Sequence, residues 1–337
     1  MLAGSPRWVP GDALTSVGEL YERYQTLIFS KVSPATARGY SVGWRHRVAA
    51  SFASRDIESI TTLDVEIAMA GWSGALSTRV DALSVLSSIC RLAVKGGVIF
   101  ANPCIGVERP RVQSSDPTSR ALSLDEVEVL LGALPQDGPY RRFVLALLYT
   151  GCRLGEIAGL RVSDVEWATN TITIRRTASA GMHGEINVGP TKGRRVRAVP
   201  LAAPLEPIVR EAAAGKDIHA LLFPGPHGGT VNSKNLSRAL NWKAVRKSIK
   251  NFPPDEEPLH WHDLRHTAAV MLFRAQLSAP DVQAILGHSS LAVTQLYANT
   301  RKDAARRGAI ALSDFYLANS KSHYRGGDEA AKNADDL

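Results

Sequence analysis

The sequence predicts a mainly α protein with a small antiparallel sheet, an α+β fold in two domains. Three observations carry this. Apolar residues recur at helical spacing over residues 13–107 and again beyond Ser123. One stretch, TITIRR at Thr171–Arg176, alternates β-branched residues as a strand does. Between the helical regions, Glu108–Arg120 is polar, holds two prolines and shows no period, which marks an exposed linker. A chain of 337 residues suits two domains, and 45% hydrophobic content suffices for a core in each.

In the first helix, Leu14, Val17, Leu20, Tyr21, Tyr24 and Ile28 share one face. Ser33-Pro34 opens the second, with Ser33 as N-cap and Pro34 at the first position. Its apolar positions include Tyr40, Trp44 and Val48. Thr61 or Thr62 caps a third, carrying Val65, Ile67 and Met69. Leu83, Leu86, Ile89, Leu92 and Val94 mark a fourth, stopped by Gly96-Gly97. Four such helices make a small bundle. Ser123 with Glu126 three residues on has capping-box spacing and restarts the helical pattern. FVLALLYTG, Phe143–Gly151, is apolar enough for a buried helix. Ile186–Val188 and Val196–Leu201 read as two further strands, with Lys192-Gly193 at their turn. Helices resume near Leu205, Asn235, His262, Pro280 and Leu291. The expected boundaries are an extension at 1–12, the bundle at 13–107, a linker at 108–119, a second domain at 120–319 and a loose polar tail at 320–337.

Composition excludes several classes. Cys90, Cys104 and Cys152 are widely spaced and odd in number, so no disulfide framework or zinc pattern follows. The N-terminus has no apolar stretch of signal-peptide length, and no segment has the roughly 18 apolar residues of a membrane span. The expectation is a soluble, cytoplasmic protein with no membrane partner. Net charge is +8, and Lys192–Lys250 alone holds twelve Lys/Arg against three acids. Charge concentrated in this way points to a polyanion, most often nucleic acid. Lys243, Arg246 and Lys247 lie in this stretch and are expected on phosphates.

A series of cations leads to one tyrosine. Arg153 lies in TGCRLGEIAGL, Lys192 in TKGRRVRAVPL, His262 and Arg265 in HDLRHTAA, and His288 in LGHSSLAVTQLY, which ends on Tyr297. A phenol attacking a phosphodiester gives a phosphotyrosine diester that keeps the bond energy for rejoining. Guanidinium stays charged and donates two parallel hydrogen bonds, so Arg153 and Arg265 suit the non-bridging oxygens as charge builds on phosphorus. His262 and His288 suit hydrogen bonds to phosphate or receipt of the phenolic proton. Glu156 and His266 read as supports for Arg153 and His262. Any one of these has a plainer reading as a surface cation or a capped histidine. A zinc site is the rival, because His262 and His266 stand at i, i+4; but Asp263 replaces the usual glutamate and Arg265 would sit beside the metal. No metal and no cofactor are expected.

The four boxes, in this order, resemble those of the tyrosine recombinases, the phage-integrase family of site-specific DNA recombinases. The N-terminal bundle, with SPATARGY and NPCIGV, resembles that family's SAM-like core-binding domain. The resemblance implies Arg153, Lys192, His262, Arg265 and His288 around the nucleophile Tyr297, with Lys192 as general acid at a hairpin tip. In the plainer reading Lys192 lines the DNA backbone with Arg194, Arg195 and Arg197. It further implies double-stranded DNA carrying a core-type attachment site as partner, and a chain monomeric in solution that forms a homo-tetramer in the synapse. Many phage integrases carry a further arm-binding domain; with about a dozen residues before the first helix, a compact form without it is expected. The turn at Ala178–Glu185 resembles mobile-element integrases. Chromosome-dimer resolvases, transposon recombinases and, more remotely, type IB topoisomerases share the chemistry.

Overall fold

Ser16 opens the first helix. Its hydroxyl accepts the Glu19 amide and the Glu19 carboxylate accepts the Ser16 amide, and α1 runs Val17–Ser30 with Val17, Leu20, Tyr21 and Ile28 buried. Residues 16–108, 118–181, 185–191, 195–250, 258–288 and 290–297 are described in this computed structural model, so Leu14 and the 320–337 tail lie outside the described residues. Ser33 accepts the Thr36 amide and starts α2, Pro34–Gly43. The helix passes through a π turn at Trp44–Val48 into α3, Ala49–Phe52. Trp44 stacks on Tyr21 with centroids 3.8 Å apart, tying α1 to the turn. Thr61, not Thr62, caps α4, Thr62–Gly71, with Asp64 closing the box. Val65 and Met69 are buried there, but Ile67 is 65% exposed. Its place two residues from both puts it on the opposite side of a 3.6-residue turn. α5, Leu76–Lys95, ends at Gly96 as expected. The buried residues of this region form one cluster between Val17 and Val107.

Beyond the linker, Ser123 and Glu126 form the expected capping box of α6, Leu124–Ala133. α7, Pro139–Thr150, buries Phe143 through Leu148 and stops at Gly151, whose φ of 63° is left-handed. A short α8, Leu154–Ala158, follows. The strands are β1 (Val165–Glu166), β2 (Thr171–Ile174), β3 (Arg176–Ala180), β4 (Ile186–Pro190) and β5 (Arg197–Pro200). They pair antiparallel as β1-β2-β5 and as β3-β4.

The register changes the expected hairpin. β4 and β5 do not pair with each other. Ile174 faces Arg197 and Arg176 faces Pro190. TITIRR and the residues after it are thus one long arm, β2 then β3, and β4 then β5 is the return. Where this arm ends, the Gly181 amide donates to the Glu185 carbonyl at 2.7 Å. Lys192, which the resemblance puts at a hairpin tip, lies outside the described residues.

The remaining helices are α9 (Glu206–Ala213), α10 (Ser233–Ala239), α11 (Trp242–Ile249), α12 (Asp263–Arg274), α13 (Ala279–Leu286) and α14 (Leu291–Gln295). α11 is the one that periodicity did not mark. A large core gathers α6–α11 and the sheet, and a smaller one joins α12, α13 and Tyr297. Among the described residues no helix is long and apolar enough to cross a membrane.

Candidate active site

Gly151 sets the first arginine. At its position a Cβ would stand 2.7 Å from a Leu286 methyl and 2.8 Å from the Ala268 Cβ, so only glycine lets α7 end against both α12 and α13. The chain turns there, and Arg153 becomes the N-cap residue of α8. Glu156 lies one turn on and is buried. It accepts the Arg153 amide at 2.8 Å and the Arg153 Nη1 at 3.0 Å. The same carboxylate takes a fork from Arg197, at 3.1 Å from Nη1 and 2.7 Å from Nη2. Burial alone would raise the Glu156 pKa, but the bonds and charge of Arg197 outweigh it and hold the carboxyl below its ordinary value. Glu156 thus bonds both Arg153 and Arg197.

Arg197 corrects an expectation. It was to line the DNA backbone with its neighbours. Its side chain is only 9% exposed. Besides the fork on Glu156, its Nε donates to the Ile285 carbonyl at 2.8 Å. Gly287, at φ 70°, leaves room where a Cβ would come within 2.9 Å of the Arg197 Cδ. A guanidinium with these partners is held inside the protein and not offered to solvent. It ties β5 to the Arg153 box and to the chain leading to His288.

Arg265 is buried on α12. Its Nη1 donates to the Gly151 carbonyl at 2.9 Å, and its Nη2 is buried without a hydrogen-bond partner among the described residues. Burial and the charge of Arg153 draw its pKa down to about 10, so it stays cationic at neutral pH. A buried donor without an acceptor is costly unless a ligand completes it. At the start of the same helix Asp263 accepts Arg120 Nη2 at 2.6 Å, Arg120 Nε at 3.2 Å and the His260 amide at 2.7 Å. Thr267 receives the Leu122 amide at 2.9 Å. These bonds fix α12 to the segment before α6.

Four rings then run in a row. His262 and His266 centroids lie 5.0 Å apart, His266 and Tyr297 5.8 Å, and Tyr297 and His288 6.2 Å. The Tyr297 hydroxyl hydrogen-bonds His266 Nδ1. Tyr297 is 3% exposed and belongs to the buried cluster that includes Ala269, Val270 and Leu286. His288 Nδ1 meets Thr294 Oγ1 at 2.9 Å. Burial, with the charges of Arg265 and Arg153, pushes the His288 imidazole down to about 4. Burial and neighbouring His262 bring His266 to about 4 as well. His262 keeps an exposed face, and packing on its other side with Arg265 nearby still lowers it. All three histidines are therefore neutral near pH 7.

The structure thus brings Arg153, Glu156, His262, Arg265, His266, His288 and Tyr297 together. Lys192 and Arg194 lie outside the described residues, as do Tyr316 and Tyr324, the tyrosines that follow Tyr297 in the sequence. Arg195 is exposed, and so are Lys243 and Lys247 on α11, with Arg246 half-buried beside them. Among the described residues no group of three or more His, Cys, Asp or Glu could hold a metal ion. The sequence reading gave His266 a supporting role and assigned none to Arg120, Asp263 or Thr294. Its position four residues after His262 placed His266 one turn along the same face, but contact with Tyr297 spans 31 residues and no local pattern reports it.

Residues 120–304 match the model of the phage integrase family. The XerD tyrosine recombinase of Corynebacterium glutamicum is 29% identical over 278 residues, 75% of this chain and 84% of that protein. A protein named as the phiRv2 prophage integrase of Mycobacterium tuberculosis is 27% identical over 282 residues, 80% and 70% of the two chains. Among solved structures, the Tn1549 transposon integrase in complex with circular-intermediate DNA aligns with a TM-score of 0.68 at 20% identity, covering 88% of this chain and 99% of that one. A lambda integrase tetramer bound to a Holliday junction aligns with a TM-score of 0.63 at 18% identity, over 86% and 83%. At these identities the structural likeness speaks to the fold.

Proposed function

This chain belongs to the phage integrase family, and from that premise and the site just described we propose that it is a site-specific DNA recombinase that breaks and rejoins strands through Tyr297. One observation carries the reading. The Tyr297 hydroxyl stands in a row of three histidines beside Arg265, a buried guanidinium with a donor left over. In this mechanism Arg153 and Arg265 hold the non-bridging oxygens of the scissile phosphate and offset charge as it builds. Tyr297 displaces the 5′ oxygen and forms a 3′-phosphotyrosine diester. His262 and His288 donate hydrogen bonds to the phosphate, and Lys192 protonates the leaving oxygen.

The bundle of residues 13–107 and the domain of residues 120–319 close on one core-type site in double-stranded DNA. Arg194, Arg195, Lys243, Arg246 and Lys247 lie along its backbone. The lambda integrase tetramer supports a homo-tetramer in the synapse, built from monomers in solution. Bacterial relatives and the lack of a membrane-spanning helix among the described residues support a place in the host cytoplasm, on the nucleoid when active. The prophage and transposon relatives support integration or excision of a mobile element. The XerD relatives keep chromosome-dimer resolution as the second reading.

The test is covalent capture. Nicked duplexes tiled across the DNA flanking the gene are selected by gel shift and incubated with the protein. Wild type is expected to become covalently joined to DNA at Tyr297, and Tyr297→Phe to bind without joining. Attachment mapped by mass spectrometry to Tyr316 or Tyr324 would overturn the assignment.

A further inference from the structure

We propose that His266 is the catalytic base that receives the Tyr297 proton, and that Asp263 and Arg120 position it. The inference rests on the reading of Tyr297 as nucleophile and adds the group that activates it. A phenol ionises near 10 in water, so at neutral pH attack must be coupled to loss of the proton. The His266 Nδ1 already holds the Tyr297 hydroxyl in a hydrogen bond. His262 meets the His266 ring edge-on, with centroids 5.0 Å apart. The His288 Nδ1 is engaged by Thr294 at 2.9 Å.

The proposed transfer requires one tautomer. For Nδ1 to accept from a phenol, the ring proton sits on Nε2. That nitrogen lies 3.9 Å from Asp263 Oδ1. Asp263 is itself held by two bonds from Arg120 and one from the His260 amide. A nucleophile, a base and an anion behind the base is the arrangement that activates protein nucleophiles in general. Here it reads Tyr297, His266, Asp263.

The charges around the ring say when the base acts. Burial and His262, Arg120 and Arg265 disfavour the imidazolium, and Asp263 alone favours it. The ring is therefore neutral and ready to accept in free protein. A phosphate at Arg265 cancels part of the opposing charge and makes imidazolium easier to form as the bond to phosphorus grows. The step balances. The Tyr297 oxygen bonds to phosphorus, its proton moves to His266 Nδ1, and the bond from phosphorus to the 5′ oxygen breaks. The 5′ oxygen leaves as a hydroxyl with a proton from the general acid. Rejoining runs the same transfers backwards, and His266 returns the proton to the phenol.

His266→Asn separates this role from mere positioning. An Asn oxygen can reach the place of Nδ1 and accept the hydrogen bond, but it does not take up a proton. With the gel-shift-selected nicked duplex, His266→Asn is expected to bind like wild type and to form the covalent adduct roughly 10²-fold or more slowly. Replacing Tyr297 with a fluorinated tyrosine of lower phenol pKa is expected to restore much of that rate in the His266→Asn protein and to change wild type little. Asp263→Asn is expected to slow cleavage less and to shift its pH profile. Adduct formation by His266→Asn within about threefold of wild type, or a defect that fluorination leaves untouched, would show that His266 only places the phenol. Wild type that joins no DNA under these conditions would instead bring down the reading of Tyr297, and this proposal with it.

Discussion

Arg195 and Arg197 stand two residues apart in one basic run, and the fold gives them opposite tasks. Arg195 is exposed, while Arg197 forks onto the buried carboxylate of Glu156. Removing one partner of a buried pair costs about 3–5 kcal/mol, whereas an exposed arginine costs within about 0.5. Arg197→Gln should therefore lower the urea midpoint sharply and Arg195→Gln should leave it in place. Glu156→Gln added to Arg197→Gln should recover part of the loss, and no recovery would mean that the two act separately. The histidines give a pH dependence with a definite sign. His266 and His288 are pushed from 6.5 to about 4, so the unfolded chain binds more protons than the folded one between those values. Their contribution is complete above pH 6.5 and is lost as pH falls towards 4. Denaturation midpoints should drop across that window, and His288→Asn should flatten the drop. The seven residues that the fold brings together were legible because each sits in a short box of known spacing. Arg197 and the partner of His266 were not, because charge along a sequence does not say which cations find a buried acid.

At the scale of elements, the caps were the most legible feature. Ser33, Thr61 and Ser123 open helices where the sequence placed them, because a cap is a local hydrogen bond. The hairpin was not, because its register depends on which strands meet. TITIRR reads as a strand in isolation, yet β3 continues it and pairs with β4, while β5 pairs with β2. α11 escaped for another reason. Trp242, Val245 and Ile249 give it three inward positions among three cations, too few to stand out by periodicity, and stacking of Trp242 on Trp261 at 3.8 Å supplies what the pattern lacked. Gly151 offers the sharpest element-level test. Alanine there meets both a left-handed φ of 63° and two side-chain atoms closer than 3 Å. Gly151→Ala should destabilise by more than about 1 kcal/mol, and because the Gly151 carbonyl holds Arg265, adduct formation should fall with it. A variant that keeps the wild-type midpoint would show that α7 can end without that contact.

For the whole molecule, the decisive quantity is where the positive charge goes once the buried arginines are subtracted. The sequence does not separate the cations of the Lys192–Lys250 excess from one another. In the fold, Arg197 is spent on Glu156 and Lys250 donates to the Ser119 and Ala121 carbonyls. Lys243 and Lys247 remain exposed one turn apart on α11, on the side away from buried Trp242 and Ile249. Each cation that neutralises a phosphate releases counterions and contributes about 0.9 to the slope of log affinity against log salt. Lys243→Gln with Lys247→Gln should therefore flatten that slope by about 2 and weaken binding to all duplexes alike. It should leave the denaturation midpoint unchanged, since neither side chain is buried. Arg197→Gln should do the reverse, lowering the midpoint and sparing the slope. Measuring both quantities in both variants separates a DNA-facing surface from an internal scaffold built of the same residue types. An α11 double variant with the wild-type slope would place this helix away from the duplex and leave Arg195 and its neighbours to meet the phosphates.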